Sequence, residues 1–210
     1  MKTLPVRPRP AASLIILRRA PGGPEVLIGR RLSGARFMPD VYVFPGGRVS
    51  PSDSRAWPAE SSTALGALAR HLRAALRETF EETGLLIGEA MTGAIPDADE
   101  VAAAYAARQL RPALHRLAYV GRAITPTTST MRFNTCFFLA DARHAHGEIA
   151  GSGELIDLHW RKLAATSEIR MANVSRYMLA RAAGLLDGTT QTAPVLYRWV
   201  GGAARIGAER

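Results

Sequence analysis

The sequence has a single cysteine, Cys136, among its 210 residues. No intrachain disulfide can form, and a reducing, cytoplasmic setting is expected. It also lacks any run of 18 apolar residues, so no membrane-spanning helix is expected. Neither an internal repeat nor a low-complexity segment is present. A chain of this length predicts one domain, spanning 1–210, with additions to a common core.

Acidic residues are in the minority: 27 lysines and arginines against 18 aspartates and glutamates give a net charge of +9. The arginines are scattered and aromatic residues do not alternate with them, which argues against a nucleic-acid groove. A basic protein attracts anions such as phosphates. A compositional bias towards alanine and arginine explains the same charge, so only phosphate contact by particular arginines stays open.

Hydrophobic patterning predicts strands that alternate with helices. The predicted strands are 12–19, 25–31, 41–44, 85–87, 118–124, 132–139, 155–160 and 195–200. The predicted helices are 64–83, 97–110 and 167–186, the last forming a C-terminal extension from about 165. Mixed strands with helices between them predict an α/β or α+β sandwich.

Three glutamates near the end of the first predicted helix carry the chemistry. Glu78, Glu81 and Glu82 are spaced i, i+3 and i+4, so their side chains leave one face of a helix. They repel one another and stand at the end of the helix that disfavours anions. A compensating cation is therefore expected. Clustered carboxylate oxygens suit Mg²⁺ or Mn²⁺, which usually binds together with substrate phosphates.

A glycine turn, Pro45-Gly46-Gly47, precedes this helix and allows the backbone to approach a ligand closely. Together with the segment from Arg77 to Leu85, it resembles the Nudix hydrolase pattern G-x5-E-x7-R-E-U-x-E-E-x-G-U, where U is a bulky apolar residue. The resemblance implies an α/β/α sandwich with a mixed sheet and a catalytic loop–helix–loop.

By the same resemblance, Glu78, Glu81 and Glu82 are metal ligands, joined by a carbonyl of Gly46 or Gly47. Arg77 then orients the carboxylates through a salt bridge. A later carboxylate, Glu154 or Glu148, is a candidate to take the proton from the attacking water.

The chain departs from the pattern in three ways. Gly47 and Arg77 are 30 positions apart where the pattern has 14, which indicates 16 inserted residues, expected near 48–63. Counting back from Arg77 places Ala69 at the pattern's first glutamate. Glu60, inside the insertion, is a candidate replacement. Thr79 stands where the pattern has a bulky apolar residue.

The long insertion and the upstream residues resemble the branch of the family that cleaves CoA and acyl-CoA. The residues that match its signature are Leu27, Ile28, Arg31, Arg36, Phe44, Pro45, Gly46 and Gly47. The resemblance implies hydrolysis of CoA to 3′,5′-ADP and phosphopantetheine. Arg31 and Arg36 would then hold the 3′-phosphate, because guanidinium groups fit phosphate well. Phe44, Gly46 and Gly47 are the other expected substrate contacts.

Two alternatives remain open at this stage. One is a Nudix hydrolase for ADP-ribose, a dinucleotide or a nucleotide sugar, since these share the same acidic motif. The other is a domain that binds a nucleotide without turnover. A homodimer is a further expectation. Cys136 is interpreted as a core residue, Trp57 as a plug that fixes the insertion, and His144 and His146 as a pair without partner ligands.

Overall fold

The structure is a computed structural model, and it describes residues 6–57, 59–60, 66–93, 99–190 and 193–209. The strands in these ranges are β1 Arg9–Ala20, β2 Gly23–Arg31, β3 Tyr42–Val43, β4 Gly46–Arg48, β5 Leu86–Ala90, β6 Leu110–Pro112, β7 Ala118–Ile124, β8 Phe133–Asp141, β9 Ala145–His146, β10 Leu155–Lys162, β11 Val195–Val200 and β12 Ala203–Ala208. The α-helices are α1 Ala69–Thr83, α2 Glu100–Ala107 and α3 Asn173–Leu186.

A mixed sheet forms the centre of the molecule, in the order β10-β2-β1-β8-β7-β11-β12. Strand β1 runs parallel to β8 and antiparallel to β2. Two short strands join its margins, β3 on β2 and β4 on β1, while β6, β5 and β9 form a separate small sheet. The mixed pairing confirms the predicted fold class.

Strand β1 is buried on both faces, which explains its continuous apolar run. Leu14 and Ile16 point into a core shared with α1 and α2, whereas Ile15 and Leu17 point into a second core shared with α3. Each face of the sheet is thus covered by helix, as the predicted α/β/α sandwich requires.

Helix α1 begins later than its sequence pattern predicts. Within the predicted 64–83 helix, residues Gly66–Leu68 form a 3₁₀ turn and the α-helix starts at Ala69, while 61–65 lie outside the described residues. Its end agrees with the prediction: Gly84 adopts a left-handed conformation with φ of 75°, and its N–H donates to the Phe80 carbonyl.

Three other segments differ from prediction. Of the helix expected over 97–110, residues 97 and 98 lie outside the described residues, and α2 begins after the capping side chain of Asp99 and gives way to strand β6. The first residues of the helix expected over 167–186 belong to the 3₁₀ turn Leu163–Glu168, and α3 follows only after an extended link. Strand β12 carries no alternating pattern and was not predicted.

None of the helices in the described part of the chain is long and apolar enough to cross a membrane.

Candidate active site

The glycine turn lies directly beneath α1. Strand β4 pairs with β1, with Gly46 opposite Ser13 and Gly47 opposite Ala12. A Cβ atom at Gly46 would lie 2.4 Å from the Ala12 carbonyl oxygen, and one at Gly47 would lie 2.4 Å from the Glu78 carboxylate. Gly46 therefore requires glycine because backbone atoms lie too close for a side chain, whereas a side chain at Gly47 would displace the Glu78 carboxylate.

Glu82 points into the protein and meets this turn. The Gly46 N–H donates to Glu82 Oε2 at 2.8 Å, and Glu82 is only 3% exposed. Burial raises the pKa of the Glu82 carboxyl to about 8. The Gly46 hydrogen bond and the charge of Arg31 oppose that rise, whereas Glu78 and Glu154 add to it.

Glu78 lies in the same acidic environment. Burial is the largest cause of its raised pKa, Glu81 and Glu154 add to the rise, and Arg77 opposes it. Glu154, although exposed, thus raises the pKa of the partly buried Glu78 and of the buried Glu82. Glu148 is also exposed, but it is not among the main causes of either pKa shift. This difference favours Glu154 over Glu148 as the later carboxylate of the site.

Arg77 ties the acidic residues together. Its Nη1 donates to Glu78 Oε1 at 2.9 Å and to Glu81 Oε2 at 2.8 Å. Its other face holds Asp53 through two parallel bonds, Nε to Oδ1 and Nη2 to Oδ2, both 3.0 Å. Burial lowers the pKa of Arg77, but Asp53, Glu78 and Glu81 together raise it above its ordinary value. The contacts are those of an orienting residue.

Asp53 is the partner of Arg77 that the sequence pattern did not identify. Counting back from Arg77 leads to Ala69, but counting forward from Gly47 by the pattern's six positions leads to Asp53. An aspartate at that position takes the place of the pattern's first glutamate, with a bidentate bond to Arg77. The signal was therefore present in the spacing on the glycine side of the insertion.

The three glutamates of α1 do not converge on one point. Among the residues that the structure describes, no three acidic, histidine or cysteine side chains gather closely enough to hold a metal ion. Arg77 engages Glu78 and Glu81, and the Gly46 N–H engages Glu82, so the carboxylates turn towards different donors. The assignment of Glu78, Glu81 and Glu82 as metal ligands therefore stays a prediction, since the described residues do not form a ready-made ligand set.

The expected substrate contacts separate into two groups. Arg31 lowers the pKa of Glu82 through its charge, and its Nε donates to the Phe37 carbonyl at 2.9 Å. Arg36 is exposed on the following loop. Phe44 is a correction: it is 3% exposed and packs in the core beneath α3, on the sheet face opposite to α1. It supports the turn and leaves no surface for a substrate.

Two interpretations made from the sequence agree with the structure. Cys136 is 3% exposed in strand β8, and burial raises the pKa of its thiol to about 11, which is unsuited to a nucleophile. Trp57 is buried in the α1 core with its ring 6.2 Å from that of Tyr105. It therefore anchors the inserted segment.

Comparison with known proteins identifies the fold. No protein-family model matches this sequence, and no curated protein matches it. A NUDIX hydrolase structure from Alicyclobacillus acidocaldarius is 26% identical with a TM-score of 0.68, covering 90% of this chain and 99% of that one. The MutT protein from Bacillus halodurans is 15% identical with a TM-score of 0.54, covering 96% and 99%.

A third similar structure is the NUDIX domain of Shewanella oneidensis NrtR in complex with ADP ribose. It is 13% identical with a TM-score of 0.51, and the match covers 86% of this chain and 90% of that one. The fold of this chain is therefore similar to that of these Nudix hydrolase structures. It differs from the family's sequence pattern by an extended segment between the glycine turn and the acidic helix α1.

Proposed function

We propose that the protein is a Mg²⁺- or Mn²⁺-dependent hydrolase of a pyrophosphate bond in a nucleoside diphosphate derivative. One observation carries the proposal: the partly buried Glu78 and the buried Glu82 both lie against the Gly46-Gly47 turn, and Glu154 raises the pKa of both. Buried carboxylates that repel one another are costly unless a cation or a proton compensates them. Perturbed acidic groups of this kind are typical of functional sites.

Glu78, Glu81 and Glu82 would hold the metal, with the Gly46 carbonyl as a further oxygen ligand. The donor set fits, because it consists only of carboxylate and carbonyl oxygens, the ligands that Mg²⁺ prefers. Arg77 engages one oxygen of Glu78 and one oxygen of Glu81, so the second oxygen of each carboxylate would share the cation with Glu82. A bound divalent cation supplies positive charge that neutralises a diphosphate and acidifies water.

The side chains of the chain itself divide the remaining work. Arg77 keeps the carboxylates at a fixed spacing, which is the main requirement of phosphoryl chemistry. Glu154 is the proposed general base, since it combines exposure to solvent with electrostatic contact to Glu78 and Glu82. Arg31, whose charge lowers the pKa of Glu82, is proposed to meet the phosphates of a substrate.

CoA or an acyl-CoA is the leading candidate substrate, supported by the upstream signature that contains Arg31 and Arg36. ADP-ribose is the second candidate, because the NrtR domain of the same fold is in complex with it. Dinucleotides and nucleotide sugars share the same diphosphate. The acidic site would accept the diphosphate of any of these substrates. Contacts with the groups outside the diphosphate would therefore determine which substrate is hydrolysed.

The test is a substrate panel with purified protein and Mg²⁺: CoA, acetyl-CoA, ADP-ribose, NADH, diadenosine polyphosphates and nucleotide sugars. Glu81→Gln and metal-free samples serve as controls, and products are separated by chromatography. Formation of 3′,5′-ADP from CoA, absent from both controls, supports the leading candidate. Turnover of another member supports the class and rejects CoA. Binding without any turnover would reject the enzymatic proposal.

Arg36 offers a sharper test of the CoA candidate. Dephospho-CoA lacks the 3′-phosphate and is otherwise identical, so it is a matched control substrate. We expect Arg36→Ala to raise KM for CoA by about tenfold, the value of one charge-assisted phosphate contact of about 1.4 kcal/mol. KM for dephospho-CoA should not change. Equal effects on both substrates would remove the assignment of Arg36 to the 3′-phosphate.

A further inference from the structure

A buried ion pair fixes the inserted segment to α1. The carboxylate of Glu60 accepts from Arg73 through two bonds, Nη2 to Oε1 at 2.6 Å and Nε to Oε2 at 2.8 Å. The two side chains are 7% and 8% exposed. Glu60 Oε2 also accepts from the Trp57 N–H at 3.0 Å. The chain around Glu60 is therefore held at three points in a buried place.

The same arginine reaches the residue that holds Arg77. Arg73 Nη1 donates to the backbone carbonyl of Asp53 at 3.0 Å. Asp53 is 1% exposed, and its carboxylate binds Arg77 and also accepts from the Ser50 N–H at 2.6 Å. A continuous set of contacts thus runs from Glu60 through Arg73 and Asp53 to Arg77.

The two arginines are one helical turn apart on α1, so they present guanidinium groups to the same side. Arg73 binds the backbone of Asp53, and Arg77 binds its carboxylate and the glutamates. A buried ion pair adds little stability compared with apolar residues of the same volume. Trp57 already anchors the segment in the core. The directional bonds of Arg73 therefore fix the position of Asp53 relative to α1 and add little to the stability of the fold.

We propose that Glu60 and Arg73 are positioning residues, which fix Asp53 against α1 and thereby set Arg77 and the carboxylates of Glu78 and Glu81. When the pattern is counted from Gly47, the inserted residues follow Asp53 and precede Arg77. In this proposal, the contacts of Arg73 with Glu60 and with the Asp53 carbonyl form a clamp that holds Asp53 against α1. This inference rests on the proposed function for its catalytic consequence but not for its geometry.

The test compares two clamp variants with a matched control. Glu60→Leu/Arg73→Met removes both charges together, so no buried charge is left without its partner. Arg73→Lys keeps the charge but loses the fork that joins Glu60 to the Asp53 carbonyl. The control is Arg176→Met, because Arg176 also binds loop carbonyls, those of Thr166 and Ile169, but at the start of α3.

Two measurements are made on each variant. The first is hydrogen exchange of the Arg77 Nε–H by ¹⁵N NMR, with the signal assigned by its loss in Arg77→Lys. The second is steady-state kinetics, which gives kcat and KM for the substrate identified in the panel. The thermal midpoint is recorded for each variant to confirm that it is folded. We expect exchange at Arg77 to become at least about tenfold faster in both clamp variants. We expect kcat to fall about 10- to 100-fold with KM within about twofold, as misplaced catalytic groups cause.

The outcomes separate the two proposals. Unchanged Arg77 exchange in folded clamp variants, with only a lower thermal midpoint, would overturn the positioning role. Faster exchange with an unchanged kcat would overturn its catalytic consequence. The same loss of kcat in Arg176→Met would show that any loosened loop suffices, which also overturns the inference. If the wild-type protein hydrolyses nothing, the proposed function fails and the NMR result alone decides the positioning role.

Discussion

At the scale of single residues, the site depends on how closely a backbone approaches a carboxylate. Gly47 leaves room for Glu78, and Gly46 donates its N–H to Glu82. The two glutamates reach the turn only because neither glycine carries a side chain. Each of these contacts joins residues more than 30 positions apart in the sequence, so local patterning gives no account of them.

Gly47→Ala should impair activity far more than stability. The added methyl would lie 2.4 Å from the Glu78 carboxylate, which is the mobile end of a side chain and can move aside. We expect kcat to fall about 100-fold, because Glu78 leaves its position, with the thermal midpoint within a few degrees of wild type. Gly207→Ala is the control, since nothing lies within 4 Å of its added Cβ. Near-normal turnover in Gly47→Ala would contradict the assigned role of Glu78.

Glu82→Gln should separate metal binding from folding. The amide oxygen can still accept from the Gly46 N–H, but the side chain can no longer ionise. We expect the metal-free variant to melt at or above the wild-type temperature, because a carboxyl whose pKa is raised by burial has been removed and such a group destabilises the fold near neutral pH. The rise in melting temperature on adding Mg²⁺ or Mn²⁺ should be lost.

The measurement is thermal unfolding in EDTA and with added metal, with Glu148→Gln as the control because Glu148 is exposed. A Glu82→Gln variant that keeps the full metal-dependent shift would remove Glu82 from the ligand set.

At the scale of elements, α1 was the best-predicted part of the chain and its surroundings were the worst. The helix shows its apolar spacing and its terminal glycine within 20 residues of sequence, so both can be read locally. The insertion in front of it has no periodicity. Asp53 and Glu60 differ in role only through the arginines that they meet on α1. The pattern count from Gly47 was a local signal, but the pairing of Glu60 with Arg73 was not.

Gly84→Ala should weaken the junction between α1 and the loop that carries Glu154. Gly84 has φ of 75°, and a Cβ there would lie 3.0 Å from the Glu148 carbonyl oxygen. The Ala150 N–H donates to the Thr83 carbonyl at the same junction. We expect the free energy of unfolding in urea to fall by about 1–2 kcal/mol, the cost of a left-handed conformation for a residue with a side chain. A loss no larger than that of Gly207→Ala would contradict this account.

At the scale of the whole molecule, the sequence carries a net charge of +9, which no single contact explains. An anionic diphosphate substrate is attracted by this charge from beyond the site. We expect KM to rise severalfold as ionic strength increases from about 10 to about 150 mM, because the screening length falls from about 30 to about 8 Å. The assay varies NaCl at constant Mg²⁺ and includes an uncharged osmolyte control. A KM that does not change with salt would contradict this attraction, and the excess of arginine would then reflect only the composition of the chain.

Taken by itself, the sequence determined the mixed strand–helix composition, the acidic face of α1 and its terminal glycine, because each is expressed by residues near one another in the chain. It also contained the spacing that identifies Asp53. Only the tertiary structure decided that Phe44 is a core residue, that Arg73 joins Glu60 to Asp53, and that Glu154 raises the pKa of Glu78 and Glu82. These relations depend on how β1, β4 and β10 bring distant segments together, and no local preference of the chain encodes such packing.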